Sequence, residues 1–318
     1  MSKFIEKSIK VFYWDGMKNF GDALNPLISK KIFNVPIEIS EPKSCEAVFI
    51  GSLLDDFLYK GVFPWYKLSK RYSKEPLKIW GTGFINDSNK YVKRHFNLKE
   101  TYFRTAEVFA VRGLYSKRRL EKILNKSLND VTIGDPGLLA SMLVDSSNIE
   151  KKYDIGFIPH HLEIHGYKQE ENIEQEIEGV IPESQHLDFP IYRELKNQCK
   201  NAIIIDMEAN PIEIIKRVAE CKTIVSSALH GLILSDSLNI PNIWSKASNL
   251  LIGNDYKFKD YYSAFDEKMV PKCVNLYDLE INMKDFPRYI IQNYSIEASK
   301  VNNIKQKLIN SFPYRKGL

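Results

Sequence analysis

Residues 223–241 read Thr223-Ile-Val-Ser-Ser-Ala-Leu-His230-Gly-Leu-Ile-Leu-Ser-Asp-Ser-Leu-Asn-Ile-Pro241. The β-branched run Thr223, Ile224 and Val225 predicts a buried strand. Ser226 and Ser227 follow as candidate helix caps, because a hydroxyl can accept from first-turn amides. Leu229, Leu232, Ile233 and Leu238 then recur at helical spacing, and Pro241 marks the stop. This order of strand, tight polar turn and helix puts His230 in the first helical turn. Free amides and the positive end of the macrodipole favour an anion there. A dipole of that sign also pushes an imidazole toward its neutral form, which suits an acid or base. A capping or packed core role is an equally good reading of a lone histidine in this segment.

The same alternation extends outward on both sides. Strand patterns fall at 10–14, 46–50, 78–80, 108–111 and 131–133, then again at 153–158, 202–206 and 242–245. Helical apolar spacing lies between several of them, as at Leu24, Leu27, Ile28 and Ile32, and at Ile212, Ile215, Val218 and Ala219. Strands alternating with helices predict an α/β protein with parallel, doubly wound sheets. Residues 145–152 are polar without an apolar pattern and are the linker candidate, which divides the chain into 1–148 and 149–318. Residues 284–311 read as one or two helices able to pack back across both halves.

The 318 residues are enough for two domains, each with its own core. Hydrophobic residues at 44% and charged residues at 27% describe an ordinary soluble globular chain. A net charge of +5 is mildly basic and suits an anionic substrate or loose contact with an anionic membrane face. Lys and Arg are scattered, with no sustained basic stripe and no nucleic-acid module, which argues against DNA or RNA as a partner. Cys45, Cys199, Cys221 and Cys273 form no CxxC pair and read as reduced, mostly buried thiols. The start lacks an apolar signal region, and no run approaches the roughly 18 apolar residues of a membrane span. The expected location is the cytoplasm, with the inner face of the membrane included.

The turns carry the candidate chemistry. Asn19, Gly21, Asp22 and Asn25 form a polar strand-to-helix turn, the kind of place where α/β proteins bind ligands. Gly51-Ser52 and Gly81-Thr-Gly83 close two strands without matching GxGxxG or a P-loop, so no nucleotide class follows. Arg112, at the end of a strand, reads either as an anion fork or as a surface ion pair. Asp135 reads as a helix cap. His160, His161 and His165 lie near Glu163, but they follow a strand and a proline rather than a His-Glu-x-x-His helix, which disfavours a metal. No Gly-x-Ser-x-Gly elbow or glycosidase carboxylate pair is present.

Taken together, the motifs resemble the polysaccharide pyruvyl transferase family. The resembling pieces are Asn19-Phe-Gly-Asp-Ala-Leu-Asn-Pro26, Gly81-Thr-Gly83, Val111-Arg-Gly113, Gly134-Asp-Pro136, Ile158-Pro-His-His161, Ser226-Ser-Ala-Leu-His-Gly231 and Lys257-Phe-Lys-Asp-Tyr261. The resemblance implies two Rossmann-like doubly wound domains facing a cleft in a GT-B-like arrangement, with the C-terminal helix packing back on the first domain. It implies an acceptor side over 1–148 and a donor side over 149–318. The implied reaction moves pyruvate from phosphoenolpyruvate to a sugar of a capsular or exopolysaccharide unit or its lipid-linked precursor, forming a ketal and releasing phosphate. On this reading His230 is the catalytic acid or base. Ser226, Ser227, Gly231, Arg112, Lys257 and Lys259 meet the donor, and Asn19, Asp22, Asn25, His160 and His161 meet the acceptor. Phosphoenolpyruvate is a co-substrate, and the scheme calls for no metal or other cofactor. Many members carry an Arg two residues before the motif His, whereas this chain has Ala228, as another subset has a small residue. A GT-B glycosyltransferase using a nucleotide sugar and a non-catalytic glycan-binding member remain alternatives.

Overall fold

The computed structural model describes residues 8–16, 18–57, 75–87, 105–161, 163, 190–199, 201–247 and 255–315. His165 lies outside the described residues. The first half comprises β1 (Ile9–Phe12), α1 (Phe20–Phe33), β2 (Ile37–Ile39), β3 (Ala47–Val48), β4 (Leu77–Trp80), β5 (Ala106–Val111), α2 (Leu114–Leu124) and β6 (Thr132–Ile133). A 3₁₀ segment, Pro136–Leu143, closes it. Next come β7 (Tyr153–Ile158), α3 (Pro190–Gln198), β8 (Ala202–Ile204), α4 (Pro211–Ala219), β9 (Cys221–Ser226) and α5 (Leu229–Ser237). The chain then continues through β10 (Asn242–Lys246), α6 (Tyr256–Tyr262), β11 (Cys273–Asn275), α7 (Phe286–Asn293) and α8 (Ala298–Asn310).

Among the described residues the strands form two parallel sheets, ordered β2-β1-β3-β4-β5-β6 and β11-β10-β9-β7-β8. Counted from its own first strand, the second sheet runs 2-1-3-4-5, which is how the first sheet begins. In each, the order reverses between the first and third strands, at β1/β3 and at β7/β9. Connections leave such a reversal toward opposite faces and open a crevice at the carboxyl ends of the strands. The α/β reading of the sequence therefore holds. It lacks β2 and β11, which are three-residue edge strands with little burial and no alternation long enough to register.

Helix α5 is the centre of the molecule. It is buried on every side, the mark of a core helix rather than an amphipathic surface one. It packs against β9, β10, α4, α8 and the 3₁₀ segment. The polar residues of its second half are all served. Ser235 Oγ donates to Gly231 O at 2.7 Å, Ser237 Oγ donates to Leu138 O at 2.6 Å, and Asp236 accepts from Asn242, Tyr261 and Tyr294. From Leu229 to Ser237, His230 alone keeps partial exposure.

The proposed caps are placed otherwise. Ser226 belongs to β9, and α5 begins after Ala228 with no side-chain cap. Ser226 Oγ instead accepts from Ala228 N at 3.1 Å within its own turn, while Ser227 Oγ points away from the helix toward Glu163. The N-cap position, with its usual β-region backbone, falls on Ala228, whose methyl group cannot accept from the first-turn amides.

One apolar cluster runs through both sheets, joining Val11, Leu24 and Trp80 to Ile158, Leu232 and Tyr261. Smaller clusters lie on the outer faces, around Val48, Ile79 and Val111 in one half and Phe157, Val225 and Ile290 in the other. Helix α8 returns to the first sheet. It packs on β6, Trp80 Nε1 donates to Leu308 O at 3.2 Å, and the Phe312 ring stacks on Phe33 with centroids 3.8 Å apart. No helix among the described residues is long and apolar enough to cross a membrane.

Candidate active site

Both reversals open onto the same space. The loops after β1 and β3 bring Trp14, Lys18, Asn19, Gly51 and Ser52, with Asp22 from the first turn of α1. The loops after β7 and β9 bring His160, His161, Ala228, Leu229 and His230, and α6 adds Lys257. Together with Asp56, Ile85, Met207 and Glu208 these residues line a cavity of about 430 Å³, the size of a small-molecule site.

His230 sits on the first turn of α5 with its side chain 14% exposed. Its Nε2 lies 3.9 Å from Asp135 Oδ2, and neither atom has a hydrogen-bond partner among the described residues. The other edge of the ring abuts α1 so closely that a Cβ at Gly21 would fall 2.1 Å from Nδ1. Burial, then the charges of Arg112 and Lys257, push the imidazole down to about 3, so it is neutral at physiological pH. Asp135 is pushed up to about 7 by burial and, less, by Asp260.

His160 and Lys257 form the second polar group. Lys257 Nζ lies 3.3 Å from His160 Nε2, and the His160 and His161 rings pack with centroids 4.2 Å apart. Burial, reinforced by Lys257, keeps His160 well below the ordinary histidine range. Lys257 itself is pushed down to about 8 by burial and by Arg112, with Glu163 opposing. The loop is fixed from behind. Ser227 Oγ accepts from His160 N at 2.8 Å, and Glu163 Oε2 binds Ser227 Oγ at 2.5 Å and Tyr192 OH at 3.0 Å.

Asn19 caps α1 through Gly21 N at 3.1 Å, and Asp22 Oδ1 accepts from Trp14 N at 3.2 Å. Burial, then Asp15, pushes Asp22 up to about 7.

The structure thus gathers His230, His160, His161, Lys257, Asn19 and Asp22 around one cavity. It does not bring the other proposed contacts there. Arg112 is 1% exposed and committed to Asp260 at 2.9 Å, Ser52 Oγ at 2.6 Å and the Phe84 carbonyl. It is therefore neither an anion fork nor a surface pair, but a buried cation whose field reaches His230 and Lys257. Gly83 leaves room for that guanidinium, so the Gly81–Gly83 turn serves packing. Lys259 lies on the opposite face of α6, exposed beside Asp255 at 3.9 Å. Asn25 ties α1 to the first sheet, accepting from Ile50 N at 3.0 Å and donating to Asp22 O at 3.0 Å. Gly231 N donates to Ala228 O at 3.1 Å, and a Cβ there would meet Ser226 Oγ at 2.4 Å. Ser226 and Ser227 are fully buried and brace the loops rather than face the cavity.

Sequence reasoning gave Asp135 no site role, because its cap role (Gly137 N to Oδ1, 2.8 Å) is real and sufficient. Trp14 and Lys18 were also missed, although their place just beyond β1 was the available signal.

No solved structure matches the chain. A relative from Acanthamoeba polyphaga mimivirus, described only as uncharacterized protein L143, is 26% identical over 96% of this chain and 91% of its own length. The polysaccharide pyruvyl transferase family model matches residues 4–248. That match takes in both strand reversals and every cavity-lining side chain except Lys257, and the chain belongs to the polysaccharide pyruvyl transferase family.

Proposed function

We propose that the protein transfers pyruvate from phosphoenolpyruvate to a saccharide of a capsular or exopolysaccharide unit or its lipid-linked precursor, closing a ketal and releasing phosphate. The observation that carries this reading is a neutral His230 sharing one cavity with the Lys257 ammonium. A phosphate and a carboxylate on three carbons need cations and helix amides. Lys257, Lys18 and the open end of α5 supply them where an Arg at position 228 is lacking. We assign the donor to the 149–318 side and the acceptor to the 1–148 side, in a GT-B-like arrangement, with Asn19 and Asp22 toward the sugar.

The chemistry balances without a further cofactor. Two hydroxyl protons leave the sugar: one ends on the methyl carbon, the other on the released phosphate. Two C2–O(sugar) bonds form, the C2–O(phosphate) bond breaks, and the enol double bond is consumed by protonation of the methylene. Neutral His230 takes a hydroxyl proton once the donor's anionic groups offset the Arg112 and Lys257 charges that weaken it as a base. Asp22, whose carboxyl holds its proton to about pH 7, is suited to protonate the methylene.

Incubation with phosphoenolpyruvate and glycolipid acceptors, followed by phosphate release and the mass of the sugar, tests the proposal. Phosphate with a pyruvylated sugar supports it. Consumption of a nucleotide sugar instead points to glycosyl transfer, and saturable glycan binding without turnover points to a non-catalytic member. His230→Ala should lower turnover at least about a hundredfold with the melting temperature held. Full activity in that variant would refute the role of His230.

A further inference from the structure

We propose that Asp135 is a positioning residue for His230, holding the ring in the tautomer that carries its proton on Nε2 and presents bare Nδ1 for proton transfer. The inference rests on the pyruvyl-transfer reading only for which proton is moved.

Two buried polar atoms face one another here. Nε2 of His230 and Oδ2 of Asp135 are 3.9 Å apart, and each lacks any other partner among the described residues. Buried polar atoms nearly always find a partner, and among the described residues these two have only each other. The separation is longer than a hydrogen bond, as is common for catalytic pairs before substrate binds. Asp135 cannot swing away, because Oδ1 is held by Gly137 N at 2.8 Å and Pro136 follows it directly. The ring is confined as well, between Gly21 on its Nδ1 edge and Gly137, where a Cβ would lie 3.4 Å from Cδ2.

Above about pH 7, where Asp135 is ionised, a carboxylate in that position can only accept, so it selects the Nε2–H imidazole and leaves the Nδ1 lone pair facing α1. When Nδ1 takes the proton of a sugar hydroxyl as the new C2–O bond forms, the imidazolium is offset by the carboxylate behind it. The proton then passes to the departing phosphate, and the ring returns to its starting tautomer. Arg112 and Lys257, at the end of β5 and on α6, oppose that imidazolium, so the nearest negative charge carries the compensation.

The test uses the full chain with ring-¹⁵N-labelled histidine. In alkaline buffer, long-range ¹H–¹⁵N correlations of His230, identified by its loss in His230→Gln, should show Nε2 protonated and Nδ1 bare. Asp135→Asn keeps an oxygen for Gly137 N but turns an amide N–H toward the ring. It should move the proton to Nδ1 and lower kcat by about 10²–10⁴-fold, leaving the donor KM within about twofold and the fold intact. A wild-type ring protonated on Nδ1 would overturn the proposal, as would an Asp135→Asn ring with unchanged tautomer. If the tautomers behave as expected while the wild type transfers nothing from phosphoenolpyruvate, the donor reading fails and the pairing stands.

Discussion

Lys257 holds its proton only weakly. Burial and the Arg112 charge bring its ammonium down to about 8, so the cavity loses a cation as pH rises through that value. The phosphoenolpyruvate KM is therefore expected to rise above about pH 8, and Lys257→Met should show a high KM at every pH with little further dependence. A wild-type KM that stays flat across that range would remove Lys257 from donor binding. At this scale the sequence was informative where a residue follows a strand or opens a helix, as His230, His160 and Asp22 do. It misled at Arg112, which ends a strand in the same way but meets Asp260 at a sequence separation of 148, a partner that no local pattern reveals. Asp135 hid for the opposite reason, since a local job already accounted for it.

The helix starts act as walls as well as dipoles. The first turn of α1 lies against the His230 ring through Gly21, and that contact sets how deep the imidazole sits. Gly21→Ala is expected to destabilise the fold by about 1–3 kcal/mol by overpacking and to lower kcat about a hundredfold by displacing the ring. Denaturant titration and steady-state rates check the two effects separately, and an unchanged rate would show that the ring does not need this wall. Central strands and long helices were legible because β-branched runs and helical spacing are local signals. The edge strands β2 and β11 were not, since three residues paired on one side leave almost no pattern.

Across the whole molecule the first sheet is held to the C-terminus by aromatic packing. Phe312 stacks on Phe33 and meets the Trp80 ring edge-on at a centroid distance of 4.9 Å. Phe312→Ala should cost about 3–5 kcal/mol in equilibrium unfolding. A loss below about 1 kcal/mol would mean that α8 is only loosely attached. The sequence announced helices at 284–311 but not which strands they cover, because that choice depends on shapes assembled from opposite ends of the chain.

The apolar cluster shared by the two sheets bears on how substrates are received. Phe20 N donates to Met207 O at 2.9 Å, and hydrocarbon from both halves meets around α5 without interruption. Prising the sheets apart by even roughly 1 Å would forfeit up to about half of each interatomic attraction across that seam. The described walls of the chamber are therefore expected to act as a standing mould rather than a jaw, receiving molecules that already match their contour.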